Sequence, residues 1–412
     1  MSYIQPGTKE YKRSKVALFI AGLVPFAMIY TTQPTMPLFA DEFNVSAPVA
    51  SLTLSLTTGL LAITLIIAGS ISERIGIKQM MVVSMVLTSI LGILSSLSPN
   101  FYTLLIFRTL LGVFVAGVPS IAMAYIGKTF HPLHTSMIMG FYISGSSIGG
   151  MSGRILTGLL TDFFTWRIAF AITGILTLIL CLIFWLTLPS PQTETKDRVG
   201  WSSIWTSYKK HLMNKRLNYL FILGFLLMGS FVSMYNYIGF LLVKPPYNLS
   251  QTVIGFIFIV YLCGTFSSIY MGKKASKYGN LLILKLSIFI TISGTIITLF
   301  PTLIFKIVGI SVFTFGFFAS HSIVSALVTE NAKENKAQAS SLYLLFYYLG
   351  SSVVGSVGGF FWEQFLWFGV IAFNLCLLLV GLFLVFVRGT TNIVSNEHTI
   401  ENSNESSWSQ TE

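Results

Sequence analysis

The sequence predicts an all-α polytopic membrane protein: twelve transmembrane helices in two pseudo-symmetric six-helix bundles. Composition, the number of apolar runs and an internal repeat predict it. Of 412 residues, 54% are hydrophobic and only 9% are charged, with a mean hydropathy of +0.77. A soluble domain carries about 25% charged residues, so this chain has too few to clothe a water-facing surface. A soluble enzyme, a disordered regulator and a nucleic-acid binder are thereby excluded. Cys181, Cys263 and Cys376 all lie in apolar runs, which argues against a disulfide framework or a zinc site.

The runs are 16–39, 50–71, 79–97, 102–125, 136–160, 167–188, 217–243, 252–272, 280–300, 302–328, 338–360 and 364–387. Each approaches or exceeds the roughly 20 residues that span a bilayer. Pro301 separates the ninth from the tenth, since 280–328 is too long to cross once. The first is longer than the 7–15 apolar residues of a cleavable signal. The longest polar interruption divides the chain into an N-terminal bundle (1–188), a linker (189–216), a C-terminal bundle (217–388) and a polar tail (389–412) expected to be disordered. In the linker, Trp201, Ile204, Trp205, Tyr208 and Leu212 recur at helical spacing, apart from Lys209 and Lys210. That pattern predicts a short helix lying on the membrane surface.

Lys and Arg set the expected orientation. With both termini in the cytoplasm, nineteen of the 25 fall in inside segments, among them Lys9, Lys12, Arg13, Lys15, Lys209, Lys210, Lys273, Lys274 and Lys277. Outside segments hold Arg167 and Lys244 alone. The net charge of +11 is therefore mostly a topology signal, and needs no nucleic-acid partner.

The halves match at an offset near 200 residues. Gly69-x3-Glu73-Arg74-x-Gly76 recurs as Gly272-x3-Ser276-Lys277-x-Gly279, and Leu105-Ile106-Phe107-Arg108 as Leu303-Ile304-Phe305-Lys306. Gly145-Ser146-Ser147-Ile148 recurs as Gly350-Ser351-Ser352-Val353, Asp162-x3-Trp166 as Glu363-x3-Trp367, and Asn44-Val45-Ser46 as Asn248-Leu249-Ser250. Five matches in one order on corresponding spans mark a duplicated unit. Two such bundles can rock about a shared central site.

On these motifs the chain resembles the major facilitator superfamily up to about residue 388. Within it, it is similar to the twelve-helix drug:proton antiporter branch, near bacterial arabinose-efflux-permease-like proteins. Gly69, Glu73, Arg74, Gly76 and Lys78 match the superfamily's loop between spans 2 and 3, with Glu73 where Asp is usual and Ile77 where a base is usual. The resemblance implies a gate there; a topology-setting loop with a solvated ion pair is the plainer reading. Arg108, with Leu104 and Gly112 at the family's spacing, acquires by resemblance a part in proton coupling. Pairing with a polar group or backbone carbonyls of span 1 would explain it equally. Gly145, Gly149, Gly150 and Gly153 in span 5, and Gly350 in span 11, suit close helix packing along a seam, although Ser146 stands where the efflux branch has proline.

Buried ionisable groups in a membrane span mark function by default. No Asp or Glu falls in the middle of a span. Arg108, Arg154 and Lys306 fall in the outer halves of theirs, and Asp162 and Glu42 lie at outer ends. The expected cavity is cationic unless those carboxylates reach in and neutralise it. An anionic, zwitterionic or neutral substrate follows from the first case. His321, the sole histidine well inside a span, is a proton-exchange candidate or a hydrogen-bonded structural group. Coupling candidates are thus Arg108, Arg154, Asp162, Lys306 and His321. Tyr30, Gln33, Tyr235, Asn236, Tyr347 and Tyr348 are candidates for the substrate cavity, their aromatic faces and polar tips suiting an amphipathic ligand.

No phosphate-binding loop and no metal-ligand spacing among the histidines occur, so no cofactor and no metal are expected. The predicted activity is secondary transport in the cell membrane by alternating access, by a monomer: efflux of a small organic compound driven by protons, with lipid as the surrounding partner. Uptake of a nutrient by symport is the alternative within transport. A lipid flippase or transporter-like sensor is the alternative outside it.

Overall fold

The computed structural model describes residues 3–189, 201–332 and 334–408, without the side chains of 69, 70, 73, 74, 120, 132, 133, 136, 201–204 and 388–408. Fifteen α-helices follow one another among these residues: α1 (Lys9–Tyr30), α2 (Met36–Glu42), α3 (Ala47–Ile75), α4 (Ile77–Ser96), α5 (Phe101–Val115), α6 (Pro119–Thr129), α7 (Pro132–Phe163), α8 (Trp166–Thr187), α9 (Trp201–Met213), α10 (Lys215–Leu242), α11 (Gln251–Ile257), α12 (Tyr261–Tyr278), α13 (Asn280–Ile297), α14 (Leu303–Asn331) and α15 (Lys336–Trp408). The twelve predicted spans are recovered with breaks inside some of them. Nine of the helical stretches are long and apolar enough to cross a bilayer. The stretch Lys336–Val387 holds two spans, separated at Leu366, whose φ of 50° and ψ of −140° no helix adopts. Span 4 is divided into α5 and α6, and α7 is span 5. Span 1 is divided into α1 and α2, and span 8 into α11 and α12 around the short 3-10 turn Phe258–Val260.

The duplicated sequence folds into duplicated backbone. Asn44 and Asn248, a matched pair, adopt φ of 50° and 47°, the left-handed conformation that Asn tolerates well. Each precedes the serine that starts the second span of its bundle, Ser46 or Ser250. Gly76 and Gly279, another matched pair, turn the chain at φ of 98° and 93°, where a side chain would be strained.

Within a bundle, glycine sets the packing. A Cβ on Gly145, Gly149 or Gly153 of α7 would lie 2.0, 2.2 or 2.5 Å from the carbonyl oxygens of Phe19, Leu23 and Ala27 on α1. Both rows advance by four residues, one helical turn and a little more, so the two backbones touch along three turns. Gly350 repeats the contact in the other half, 2.1 Å from Phe225 O on α10. The seam of close packing therefore lies inside each bundle. A close approach between bundles is made by Gly158 instead, whose Cβ would lie 2.5 Å from Gln251 O.

The linker helix forms as α9. Tyr208 is buried, while Trp205 and Leu212 remain exposed. The rest of the linker, 190–200, and the side chains of the expected disordered tail lie outside the described residues. The end of the molecule bearing α9 is called the linker end below, and the opposite one the far end.

Candidate functional site

Two helix breaks face each other where the bundles meet at the far end. The chain leaves α1 at Tyr30 and runs through a non-helical turn, 31–35, before α2. In the opposite bundle α11 gives way to the turn Phe258–Val260. Arg154, from the last third of α7, lies between them with 1% of its surface exposed. Its guanidinium centre is 3.9 Å from the Tyr30 ring centroid, 4.6 Å from Phe258 and 4.8 Å from Tyr261. Stacking on aromatic faces compensates a desolvated cation. Nη1 donates to Gly150 O at 2.6 Å and Nε to Gln33 Oε1 at 2.7 Å. Gly150, expected in the packing seam, gives this side chain room: a Cβ there would stand 3.3 Å from Nη1.

Gln33 continues the chain across the bundle interface. Its Nε2 donates to Asn236 Oδ1 on α10 at 2.8 Å, and Asn236 Nδ2 reaches Gly355 O at 3.4 Å. Tyr237, beside it, donates to the same carbonyl at 2.8 Å. Asp162 closes the outermost layer, accepting from the backbone N–H groups of Gln251 at 3.0 Å and Thr252 at 2.7 Å. These donors, at the start of α11, lack partners within the helix, and a carboxylate there also meets the positive helix end. Deeper in, Ser351 donates to Thr58 at 3.2 Å and Ser147 bonds Thr265 at 2.9 Å.

Below Arg154 an aromatic field fills the junction. Phe231 stacks on Phe317 with centroids 3.9 Å apart and meets Tyr261 at 5.6 Å. Tyr235 stacks on Phe258 at 5.1 Å and shares a 2.6 Å hydrogen bond with Thr314. His321 stands against Tyr347 at 4.5 Å and bonds Tyr343 through Nδ1 at 2.7 Å. Tyr348 meets Tyr347 edge to face at 5.2 Å. All six cavity candidates and His321 therefore belong to this junction. Phe231, Phe258, Tyr261, Phe317 and Phe318, which meets Phe231 and Tyr261 edge to face, were missed. Their signal was present as aromatic residues three or four apart, one helix face each: Phe231 with Tyr235, Phe258 with Tyr261, Phe317 with His321.

The other candidate bases are occupied elsewhere. Arg108, wholly buried, fans its guanidinium over the end of α1: Nη1 to Met28 O at 2.9 Å, Nη2 to Ile29 O at 2.5 Å, and Nε to Thr53 O at 3.2 Å. The break after Tyr30 strips those carbonyls of their helical partners, and a cation suits the negative end of a helix. Lys306 similarly donates to Thr298 O at 2.5 Å, at the end of α13, beside Trp367. Glu42 pairs with Arg167 at 2.5 Å and accepts from Trp166. Neither Glu42 nor Asp162 reaches the buried bases, and Arg108 and Lys306 do not line the junction. The cationic chamber expected from three bases reduces to one guanidinium. Of the expected gate, the side chains of Gly69, Glu73 and Arg74 lie outside the described residues. Gly76 makes its turn, and Lys78 donates to Leu188 O at 2.5 Å.

Two facing bundles with a shared polar junction and no metal cluster among the described residues are an architecture for moving solutes. The sequence profile of the Major Facilitator Superfamily matches residues 18–355. The chain belongs to that superfamily. Within this superfamily it is 45% identical to an uncharacterized MFS-type transporter, YybF of Bacillus subtilis, over 93% of this chain and 95% of that one. It is 41% identical to the inner membrane transport protein YnfM of Escherichia coli, over 92% and 91%. The fold superposes on an inward-facing bacterial homologue of the lysosomal transporter Spinster with a TM-score of 0.76 at 14% identity, covering 93% and 97%. The nucleoside transporter NupG gives 0.76 at 16% identity, covering 91% and 99%. This superfamily member is thus a multi-pass membrane transporter and not an enzyme.

Proposed function

We propose that this transporter exports a small organic compound in exchange for protons, and that the compound is anionic, zwitterionic or neutral. One observation carries the reading: Arg154 is buried at the bundle junction with no carboxylate among the described residues in ion-pair contact. A site for lipophilic cations would place a carboxylate there, because a lone buried cation repels another. The linker end faces the cytosol in this reading, as the Lys and Arg bias requires, and both termini lie on that side. The far end is then held shut by the Arg154–Gln33–Asn236 chain and by Asp162, so the site communicates with the cytosol. Driving export is within reach, since the membrane potential supplies about 2.3 kcal/mol per charge per 100 mV. His321 is the candidate proton carrier of the junction.

A retention assay tests it. Cells lacking the transporter should hold more of an exported organic anion than wild type, and an uncoupler should abolish the difference. Reduced accumulation in the deletion strain would mean import; preference for matched cations would overturn the charge assignment.

A further inference from the structure

We propose that the junction takes a planar aromatic monocarboxylate, bound side-on by Arg154 in place of Gln33. This rests on the reading of the protein as a transporter of an organic solute, and names the solute's chemistry.

The junction offers an incoming acceptor two donors of different kinds. Arg154 spends Nε on Gln33 and Nη1 on Gly150; among the described residues its Nη2 donates to nothing. The Tyr261 hydroxyl is buried without a hydrogen bond, on a ring whose centroid is 4.8 Å from the same guanidinium. An unmade buried hydrogen bond is costly, so the Tyr261 hydroxyl gains from an acceptor, and a single acceptor-rich ligand can take Nη2 as well. Nε and Nη2 form the side-on edge of a guanidinium, the fork that a carboxylate fits with two parallel bonds. That edge is now half-occupied by a neutral amide oxygen, which a charged acceptor outcompetes.

The charge of the ligand follows from the count of bases. Arg108 and Lys306 are committed to the carbonyl ends of α1 and α13, so one cation faces the junction. One cation balances a monoanion and leaves a phosphate dianion under-compensated. The shape follows from the walls. Tyr30, Phe258 and Tyr261 surround the guanidinium, and the field continues through Phe231 and Phe317 to His321 and Tyr347. Faces and edges of this kind prefer a flat ring to a puckered aliphatic one.

Displacing Gln33 from Arg154 also loosens the amide whose other end bonds Asn236, the bridge between bundles. Ligand binding and release of the far end are thereby coupled through one side chain.

Binding to the purified full-length transporter, measured by calorimetry, tests the assignment with four probes: benzoate, cyclohexanecarboxylate, benzamide and phenyl phosphate. Benzoate should bind at least about tenfold more tightly than benzamide and several-fold more tightly than either of the other two. Arg154→Gln should erase the preference for benzoate over benzamide, with a monodisperse size-exclusion profile and a cooperative melting curve showing that the variant is folded. Tyr261→Phe should weaken benzoate a few-fold. Cyclohexanecarboxylate or benzamide equalling benzoate, phenyl phosphate surpassing it, or no benzoate binding up to about 10 mM would each overturn the proposal. The two readings fail separately. Should the retention assay find an aliphatic anion exported while benzoate does not bind, the aromatic assignment falls and export stands; should deletion alter the retention of no solute, both fall.

Discussion

Gln33 and Asn236 join the two bundles through a 2.8 Å hydrogen bond between side-chain amides. Both are fully buried, and they come from different halves of the duplicated chain. Opening the far end requires this bond to break, so it contributes to the balance between closed and open states. A buried neutral hydrogen bond is worth about 0.5–1.5 kcal/mol, or about two- to tenfold in a two-state equilibrium. Asn236→Leu keeps the volume, leaves Gln33 on Arg154, and leaves Gly355 O with the Tyr237 hydroxyl. Distances between spin labels on the far ends of α3 and α15 should show the open population rising by that factor.

Arg108 anchors the frayed end of α1 through two of its carbonyls and a third on α3. Arg108→Gln cannot reach all three. Each carbonyl left bare costs about 1–3 kcal/mol, so the purified protein should lose several degrees of melting temperature. A role confined to proton transfer would instead leave thermal stability unchanged and alter only the pH profile.

Gly149 and Gly140 lie on the same helix and should respond oppositely to substitution. A Cβ at Gly149 meets Leu23 O at 2.2 Å, whereas one at Gly140 meets nothing within 4 Å. Gly149→Val should push α7 off α1 and reduce the yield of folded transporter sharply. Gly140→Ala should be neutral, or stabilising by up to about 1 kcal/mol from helix propensity. Size-exclusion profiles and melting curves in detergent decide both.

Asp162 lies just beyond the apolar run 136–160. Partial burial raises its pKa, but hydrogen bonds from Thr252, Ser250 and Gln251 outweigh that, holding the carboxyl below its ordinary 3.8. The sign follows: its contribution to far-end closure is complete above the ordinary value and is lost only as pH falls through the depressed one. Between about pH 5 and 8 Asp162 therefore does not titrate. Asp162→Asn should weaken closure equally at both ends of that range, as cysteine accessibility at the far end would report.

His321 is a contrasting case, with its Nδ1 on Tyr343 and its ring on Tyr347. As the proposed proton carrier, it should give the transport rate its pH dependence. His321→Gln should flatten that dependence over about pH 5.5–8, the range in which histidine ordinarily titrates, with the substrate affinity changed only a few-fold. An unaltered profile would remove the proton role.

The amino-acid sequence determined the class, the twelve crossings and the duplication. Hydropathy is a property of composition, and in lipid only helices satisfy every backbone group of a single crossing. The pairing of Asn44 with Asn248 was readable, as matched residues before matched serines, while their shared left-handed conformation came from the structure. The polar and aromatic candidates of spans 1, 7 and 11 were named from residue type, whereas the phenylalanines around them carried a signal of their own, aromatics three or four apart on one helix face. What a buried base touches was not. Arg108, Arg154 and Lys306 look alike as lone cations in apolar runs, yet two of them serve helix ends and one serves the junction between bundles. The distinction depends on where α1 breaks and where α13 stops, and on which helix lies opposite. Those are decided when carbonyls freed by a break compete for the nearest donor, which for Arg108 is a competition among groups 55 to 80 residues apart in the chain. The same holds for the glycine row of α7, whose spacing announced a close approach while packing alone chose α1 as the surface approached.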